Sequence, residues 1–213
     1  MENRKLIKRG AEADLYSTEW FGRPAISKVR IKKKYRRKEI DNWIRAHRTL
    51  REARLMSKAR SNWVSTPIIF FVDPLRGEII MEEILGRRLK EVMEDISITE
   101  LKRTFSGIGS MIGRLHKGGI IHGDLTTSNM ILFNGMVYLI DFGLSIQSQR
   151  LEDMGMDLRL LKGVLSSAHS PVFKEAYKFL IRGYRTSTGS NATEHVLQVV
   201  EQIERRGRYA RVD

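Results

Sequence analysis

The stretch that most constrains this chain runs from His122 to Gly143. It opens with a polar octet, His122-Gly123-Asp124-Leu125-Thr126-Thr127-Ser128-Asn129, and closes on Asp141-Phe142-Gly143. Between them lie two short apolar segments, 130–133 and 137–140, joined by Asn134-Gly135. Asn-Gly between apolar runs signals a two-residue hairpin turn with both residues at positive φ. The octet therefore leads into a hairpin and the closing Asp leaves it. A helix is expected ahead of the octet. Ser97-Ile98-Thr99-Glu100 reads as a capping box, and Leu101, Phe105, Ile108, Ile112 and Leu115 form one apolar stripe. Gly118-Gly119 ends that helix.

The rest of the chain divides by character. Up to residue 81 it reads as strands with one helix. Short strands are expected at 5–7, 14–17 and 25–31, punctuated by Gly10 and by a turn at Phe21-Gly22-Arg23-Pro24. Over 36–59, Ile40, Trp43, Ile44, His47, Leu50 and Leu55 recur at helical spacing. Strands at 68–72 and 78–81 flank a turn at 73–77. Beyond residue 86 helices dominate, the last capped by Asn191-Ala192-Thr193-Glu194. The expected fold class is α+β in two lobes. Residues 1–81 form an antiparallel-sheet N-lobe with one main helix, 82–86 a hinge, and 87–213 a reduced helical C-lobe with a basic tail.

Composition narrows the chemistry. The absence of cysteine among 213 residues removes disulfide scaffolds, zinc–thiolate sites and thiol nucleophiles together. No apolar run approaches the ~18 residues of a membrane span, and Met1-Glu2-Asn3-Arg4-Lys5 lacks the apolar stretch of a signal peptide. An intracellular chain is expected. Its formal charge of +13 includes the run 30–38, with seven basic residues in nine. Such charge attracts an anionic partner such as nucleic acid, or keeps the protein soluble.

The octet and Asp141-Phe142-Gly143 match the kinase pattern of a catalytic loop, with Asp and Asn five positions apart, followed by a metal-binding D-F-G. Phosphoryl transfer needs positioning and charge neutralisation more than covalent help. Asp124 suits a group that orients a hydroxyl or water and accepts its proton. Asn129 and Asp141 offer hard oxygen ligands for Mg²⁺, which bridges phosphates. Upstream, Ala25-Ile26-Ser27-Lys28 resembles the V-A-I-K strand. Lys28 would then contact the α- and β-phosphates of ATP, held by Glu52 of the next helix, with Glu39 as the competitor. Gly10, Ala11, Glu12 and Ala13 stand where a Gly-rich phosphate loop belongs, although only one glycine of three is present. Glu12 there is expected to turn away or to approach a metal or a basic residue. In the connector, Met81, the Glu82 carbonyl and the Ile84 N–H would meet adenine, with Ile131 lining the other side.

The order of these segments resembles the protein-kinase fold over essentially the whole chain, with two departures. Gly123 stands where the catalytic loop usually has Arg, which argues against control by activation-loop phosphorylation. Residues 144–156 are short and hold no A-P-E. Asp157 then opens a helix and can anchor the catalytic-loop backbone. With Gly10-Ala11-Glu12-Ala13 and Arg48-Thr49-Leu50-Arg51-Glu52-Ala53-Arg54, the chain is similar to the small atypical kinase subunits of the KEOPS complex, the p53-related protein kinase family. That resemblance implies a cytoplasmic protein that binds ATP and Mg²⁺, phosphorylates Ser/Thr and hydrolyses ATP, and supports threonylcarbamoyladenosine modification of tRNA. It implies as partners the complex's threonylcarbamoyl-transferase subunit, a further small subunit on the N-lobe, and tRNA through the basic surface and the tail around Arg206-Gly207-Arg208-Tyr209-Ala210-Arg211. The compact chain looks archaeal.

Three other readings bear on the chain. A stand-alone kinase of the RIO type also lacks a peptide platform, but RIO kinases carry a helical nucleic-acid-binding domain ahead of the fold. A non-catalytic scaffold would not need Lys28, Glu52, Asp124, Asn129 and Asp141 together. A small-molecule phosphotransferase fits less well, since it needs a larger helical acceptor site after the loop.

Overall fold

Phe21 and Gly22 both take positive φ, 49° and 75°, in the computed structural model of the chain. It describes residues 4–93 and 95–209, the side chains of 207–209 excepted. The turn therefore occupies two residues only, and strand pairing resumes at Trp20↔Arg23. This draws Pro24 into the strand rather than the turn that the sequence suggests. It sits near the strand's first residue, where a missing N–H is tolerated.

Five antiparallel strands, β1 (Lys5–Lys8), β2 (Ala13–Trp20), β3 (Arg23–Arg30), β4 (Ile69–Asp73) and β5 (Glu78–Glu82), form one sheet in the order β1-β2-β3-β5-β4. Helix α1 (Lys38–Ser61) follows β3 and carries Glu39 and Asp41 in its first turn, where acids complement the helix dipole. The chain divides into two compact units. One holds residues up to Ser57 with Pro67–Leu85, the other Lys58–Thr66 with everything from Gly86 on. The last turn of α1 thus belongs to the second unit. In the first unit Ala25, Ala53, Met56, Ile79 and Ile80 are buried. Side chains alternate along a strand, so Lys28 and Arg30 share one face of β3.

The second unit begins with two elements too short to read from periodicity, β6 (Arg87–Arg88) and α2 (Leu89–Val92). Then comes α3 (Ile98–Lys117), whose capping box is complete: the Ser97 hydroxyl accepts the Glu100 N–H and the Glu100 carboxylate accepts the Ser97 N–H, each at 3.3 Å. Phe105, Ile108, Ile112 and Leu115 of its stripe are fully buried. After β7 (Ile120–Ile121) the expected hairpin forms from β8 (Met130–Phe133) and β9 (Met136–Leu139), with Asn134 and Gly135 at φ 48° and 73°. β6 adds to β8, and β10 (Ile146–Gln147) pairs with β7.

Three helices close the unit: α4 (Leu151–Ala168), α5 (Phe173–Thr188) and α6 (Ser190–Tyr209). α3 and α5 approach backbone to backbone. A Cβ on Gly109 would strike the Leu180 carbonyl, and one on Gly183 the Ser106 carbonyl. Helix α6 starts at Ser190 rather than at an Asn191 cap. Gly189, at φ 86°, breaks α5, and its carbonyl accepts the Thr193 N–H at 3.1 Å, so the helical ladder is under way before Asn191 could cap it. No helix among the described residues is long and apolar enough to cross a membrane.

Candidate active site

In the first unit the β3–α1 contact is ionic. Lys28 Nζ donates to Glu52 Oε1 at 2.6 Å, and Arg30 Nη2 donates to Glu52 Oε2. Glu52 is 1% exposed and Lys28 8%. A carboxylate so buried needs compensating charge, and here each oxygen has its own cation. Glu39, the alternative partner, is exposed in the first turn of α1. Arg30 belongs to none of the motifs of the sequence. The available signal is its spacing, two residues after Lys28 and hence on the same strand face.

The segment 10–13 is a tight turn. A Cβ on Gly10 would come within 2.5 Å of the Ala13 carbonyl oxygen. Glu12 meets basic residues: Arg48 Nη1 donates to its Oε2 at 3.0 Å, and Lys33 Nζ lies 3.8 Å from its Oε1. Lys33 Nζ also donates to the Ala11 carbonyl at 2.7 Å. Ala11 and Glu12 are exposed and Ala13 half-buried. At the end of β5, Met81 is buried. The Glu82 N–H is used by Ile68, and Glu82 Oε2 accepts the Ile68 N–H at 3.1 Å. The Ile84 N–H has no hydrogen-bond partner among the described residues.

In the second unit the octet hangs on one carboxylate. Asp157, on the second turn of α4 and 2% exposed, accepts the His122 N–H at 2.7 Å on Oδ2 and the Gly123 N–H at 2.8 Å on Oδ1. His116 Nε2 lies 3.3 Å from the same Oδ2, and its Nδ1 is 2.9 Å from the Tyr184 hydroxyl. Burial beside that carboxylate pushes the Tyr184 phenol far up, so it stays neutral. Gly123 takes φ 79°, and a Cβ there would press on the Leu144 carbonyl at 2.6 Å. That conformation and that contact account for Gly in place of the usual Arg.

His122 is fully buried. Its Nδ1 accepts the Asp124 N–H at 3.3 Å, which leaves Nε2 as the donor to the Ile140 carbonyl at 3.2 Å. Burial lowers its pKa from the ordinary 6.5, against the upward pull of Asp157, the Ile140 carbonyl, Asp141 and Asp124. The neutral ring holds this arrangement and packs 4.8 Å from buried Phe142. Further bonds fix the loop: Ser145 Oγ to the His122 carbonyl at 2.8 Å, Arg88 Nη1 to the Ser128 carbonyl, and Thr127 Oγ1 to His169 Nε2 at 3.0 Å.

This frame presents three polar side chains. Asn129 Nδ2 donates to the Asp124 carbonyl at 3.0 Å and to Asp124 Oδ2 at 2.7 Å. Its amide oxygen is therefore the end left for a ligand. The Ile140 N–H donates to the Asn129 carbonyl at 3.0 Å, which sets Asp141 beside Asn129. Asp141 is exposed at φ 64°, and its Oδ1 accepts the Gly143 N–H at 3.3 Å. A left-handed conformation costs a non-glycine residue about 1–2 kcal/mol, a strain typical of functional positions. An amide oxygen and a carboxylate on adjoining backbone suit a hard cation such as Mg²⁺, which keeps most of its waters and takes few protein ligands. Ile131 lies half-buried in β8, paired with Tyr138 and Arg88.

The fold is that of the protein-kinase class. The protein kinase domain family matches residues 22–162, and the chain belongs to it. Within that class it belongs to the family of the KEOPS complex subunit Bud32. It is 44% identical to the KEOPS complex subunit Bud32 of Pyrococcus abyssi over 211 residues, 96% of each chain. It is 46% identical to a probable bifunctional tRNA threonylcarbamoyladenosine biosynthesis protein of Methanothermobacter thermautotrophicus over 204 residues, 96% of this chain but 36% of that longer protein. Both relatives are archaeal. The Rio2 kinase of Chaetomium thermophilum, crystallised with ADP, Mg²⁺ and phosphoaspartate, superposes with a TM-score of 0.61 over 99% of this chain and 71% of its own, at 16% identity. That likeness is one of fold.

Proposed function

We propose that the chain binds Mg–ATP and serves as the atypical serine/threonine kinase and ATPase subunit that supports threonylcarbamoyladenosine modification of tRNA in a cytoplasmic KEOPS complex. The observation that carries the chemistry is the buried Lys28–Glu52 pair: with Arg30 on the other oxygen of Glu52, two cations share one carboxylate, and the surplus positive charge suits an anion at Lys28. The likeness to Bud32 across 96% of both chains supports the setting.

Lys28, held by Glu52, binds the α- and β-phosphates of ATP. Gly10, Ala11, Glu12 and Ala13 form the turn over the phosphates. Met81, the Glu82 carbonyl and the Ile84 N–H receive adenine, with Ile131 against the ring. Asn129 and Asp141 hold Mg²⁺, which, when bound, neutralises phosphate charge. Asp124 Oδ2 is engaged by Asn129, so Oδ1 takes the proton of the water or Ser/Thr hydroxyl whose oxygen receives the γ-phosphoryl group, and ADP leaves. The threonylcarbamoyl-transferase subunit and a further small subunit on the N-lobe are the expected protein partners. The basic segment 30–38 meets tRNA, as does the tail. In that tail Arg206 pairs with Glu152 at 3.2 Å, while Ala210, Arg211 and the side chains of 207–209 lie outside the described residues.

ATP turnover of the chain with its transferase partner and tRNA tests this. Asp141→Ala abolishes Mg-dependent turnover, and Asp124→Ala lowers kcat by ~10²–10⁴ while ATP binding persists. Undiminished hydrolysis in both variants would sink the mechanism. Turnover that depends on the partner and tRNA supports the ATPase role, whereas efficient phosphorylation of an unrelated protein supports the stand-alone kinase.

A further inference from the structure

The segment between β3 and α1 forms a cup of about 470 Å³ lined by Lys32, Lys33, Lys34, Arg36, Lys38, Asp41 and Asn42. Its one acid is already neutralised. Asp41 accepts Arg45 Nε at 2.9 Å and the Lys33 N–H at 3.3 Å, and Arg36 lies 3.7 Å away. Burial pushes its carboxyl upward, yet these bonds and charges hold it below the usual carboxylate range. Lys32, Lys34 and Lys38 are exposed and have no acidic partner among the described residues. The cup therefore carries uncompensated positive charge. Tyr35, 78% exposed with the Arg36 guanidinium 5.2 Å from its ring centre, sits in the same segment. Cations that track phosphates, interleaved with an exposed aromatic ring that can stack on a base, fit RNA better than an acidic peptide, which has no use for the ring.

Lys33 does two things. It lines this cup, and its ammonium reaches out of it to the Ala11 carbonyl at 2.7 Å and towards Glu12 at 3.8 Å. With Arg48, it is one of the two cations that offset Glu12. An RNA phosphate entering the cup competes for that ammonium. If Lys33 turns to the phosphate, the 10–13 turn loses a donor on its carbonyl and one of the two charges facing its carboxylate. It then shows more negative charge to a nucleotide.

We propose that the cup binds the RNA phosphate backbone and that Lys33 is shared between RNA and the 10–13 turn, so that RNA and ATP weaken each other's binding. This rests on the reading of the 10–13 turn as the phosphate loop and of 30–38 as an RNA contact. Linkage requires the two effects to be equal. One exposed ion pair and one hydrogen bond set the coupling at roughly threefold to tenfold.

The test uses the full chain, a fluorescent ATP analogue and a tRNA transcript, each titrated with and without saturating amounts of the other. In the wild-type protein, tRNA raises the Kd of the analogue roughly threefold to tenfold, and the analogue raises the Kd of tRNA by the same factor. Lys33→Met removes the coupling. Lys34→Met weakens tRNA binding comparably but keeps the coupling, which separates a shared group from a mere RNA contact. Independent binding in the wild-type protein, or unchanged coupling in Lys33→Met, overturns the sharing and leaves the RNA contact standing. If Lys32, Lys34 and Lys38 are changed together to Met and the salt slope of tRNA binding does not flatten, the RNA reading of the cup itself is wrong. Failure of the analogue to bind even without tRNA overturns the nucleotide reading beneath the proposal. Poly-glutamate producing the same coupling at equal charge assigns the cup to an acidic protein and overturns the RNA occupant.

Discussion

Replacing Asp157 tests how the catalytic loop is held. The carboxylate takes the N–H groups of His122 and Gly123 at 2.7 and 2.8 Å from a position 2% exposed. Asp157→Ala leaves the buried His122 N–H unsatisfied, at about 1–3 kcal/mol, and strips the acceptor from the Gly123 N–H, which is part-buried and costs less. Removal of the buried charge recovers part of this, which leaves a net loss of about 2–5 kcal/mol. Asp157→Asn keeps the shape. Its oxygen serves one N–H and its amide nitrogen faces the other as a second donor, so one bond is lost, at about 1.5–3 kcal/mol. At about 2–4 °C per kcal/mol for a chain of this size, the expected fall in Tm is roughly 3–12 °C for Asn and more for Ala. Asp124 directly follows the two anchored residues, so its placement loosens. A displacement of about 1 Å costs about 10² in rate, and kcat should fall 10- to 100-fold. Lys28 and Glu52 lie in the other unit, and the Kd for ATP should stay within about threefold, since no phosphate-binding cation is lost. Amide exchange of His122 and Gly123 reports the bond directly, by NMR on wild type and Asp157→Asn. If both amides remain equally protected and Tm shifts by less than about 2 °C, Asp157 is not the anchor.

The remaining predictions concern neighbouring features. Arg30→Met leaves Glu52 with Lys28 as its one cation among the described residues and should weaken ATP binding by about tenfold, the scale of one charge-assisted hydrogen bond. Arg30→Lys should recover part of it in the same titration. Burial lowers the pKa of His122, so folding favours the neutral ring. The stability this supplies is complete above the unfolded value of 6.5, and it is lost as pH falls through the lower folded value. Urea titrations between pH 7.5 and 5 should show that loss in wild type and a shallower one in His122→Asn. A Cβ at Gly183 would strike the Ser106 carbonyl, and Gly183→Ala should destabilise by about 1–3 kcal/mol. At Gly163 nothing lies within 4 Å, so Gly163→Ala in mid-α4 should stabilise by about 0.4–1 kcal/mol in the same melts.

What the sequence discloses follows the range of the interactions. The Ser97–Glu100 capping box, the α3 stripe and the Asn134-Gly135 turn are legible because their partners are three or four residues away and their energies are local. The pairing of Lys28 with Glu52 spans 24 residues and is legible only through motif order, which stands in for the register that brings β3 to α1. Where no motif supplies the register, long-range partners stay hidden. The Arg88 bond to Ser128 and the His116 link between Asp157 and Tyr184 cross 40 residues or more, and nothing in the residue types alone announces them. β6, β7 and β10 are two residues long, too short for any periodicity.

Arg30 and Lys33 show a different limit. In composition both belong to a basic run and look interchangeable with their neighbours. Strand alternation turns Arg30 inward onto Glu52, whereas Lys33 lies past the end of β3, where the chain turns back towards the residues after Gly10. One cation is spent on a buried carboxylate that orients Lys28. The other is split between a surface cup and the 10–13 turn. The +13 charge is thus no uniform coat. Salt should weaken the contacts of Lys32, Lys34 and Lys38 much more than the Arg30–Glu52 pair, because screening acts on exposed charges and barely on buried ones. Raising ionic strength should therefore strip RNA from the chain well before it disturbs the orientation of Lys28.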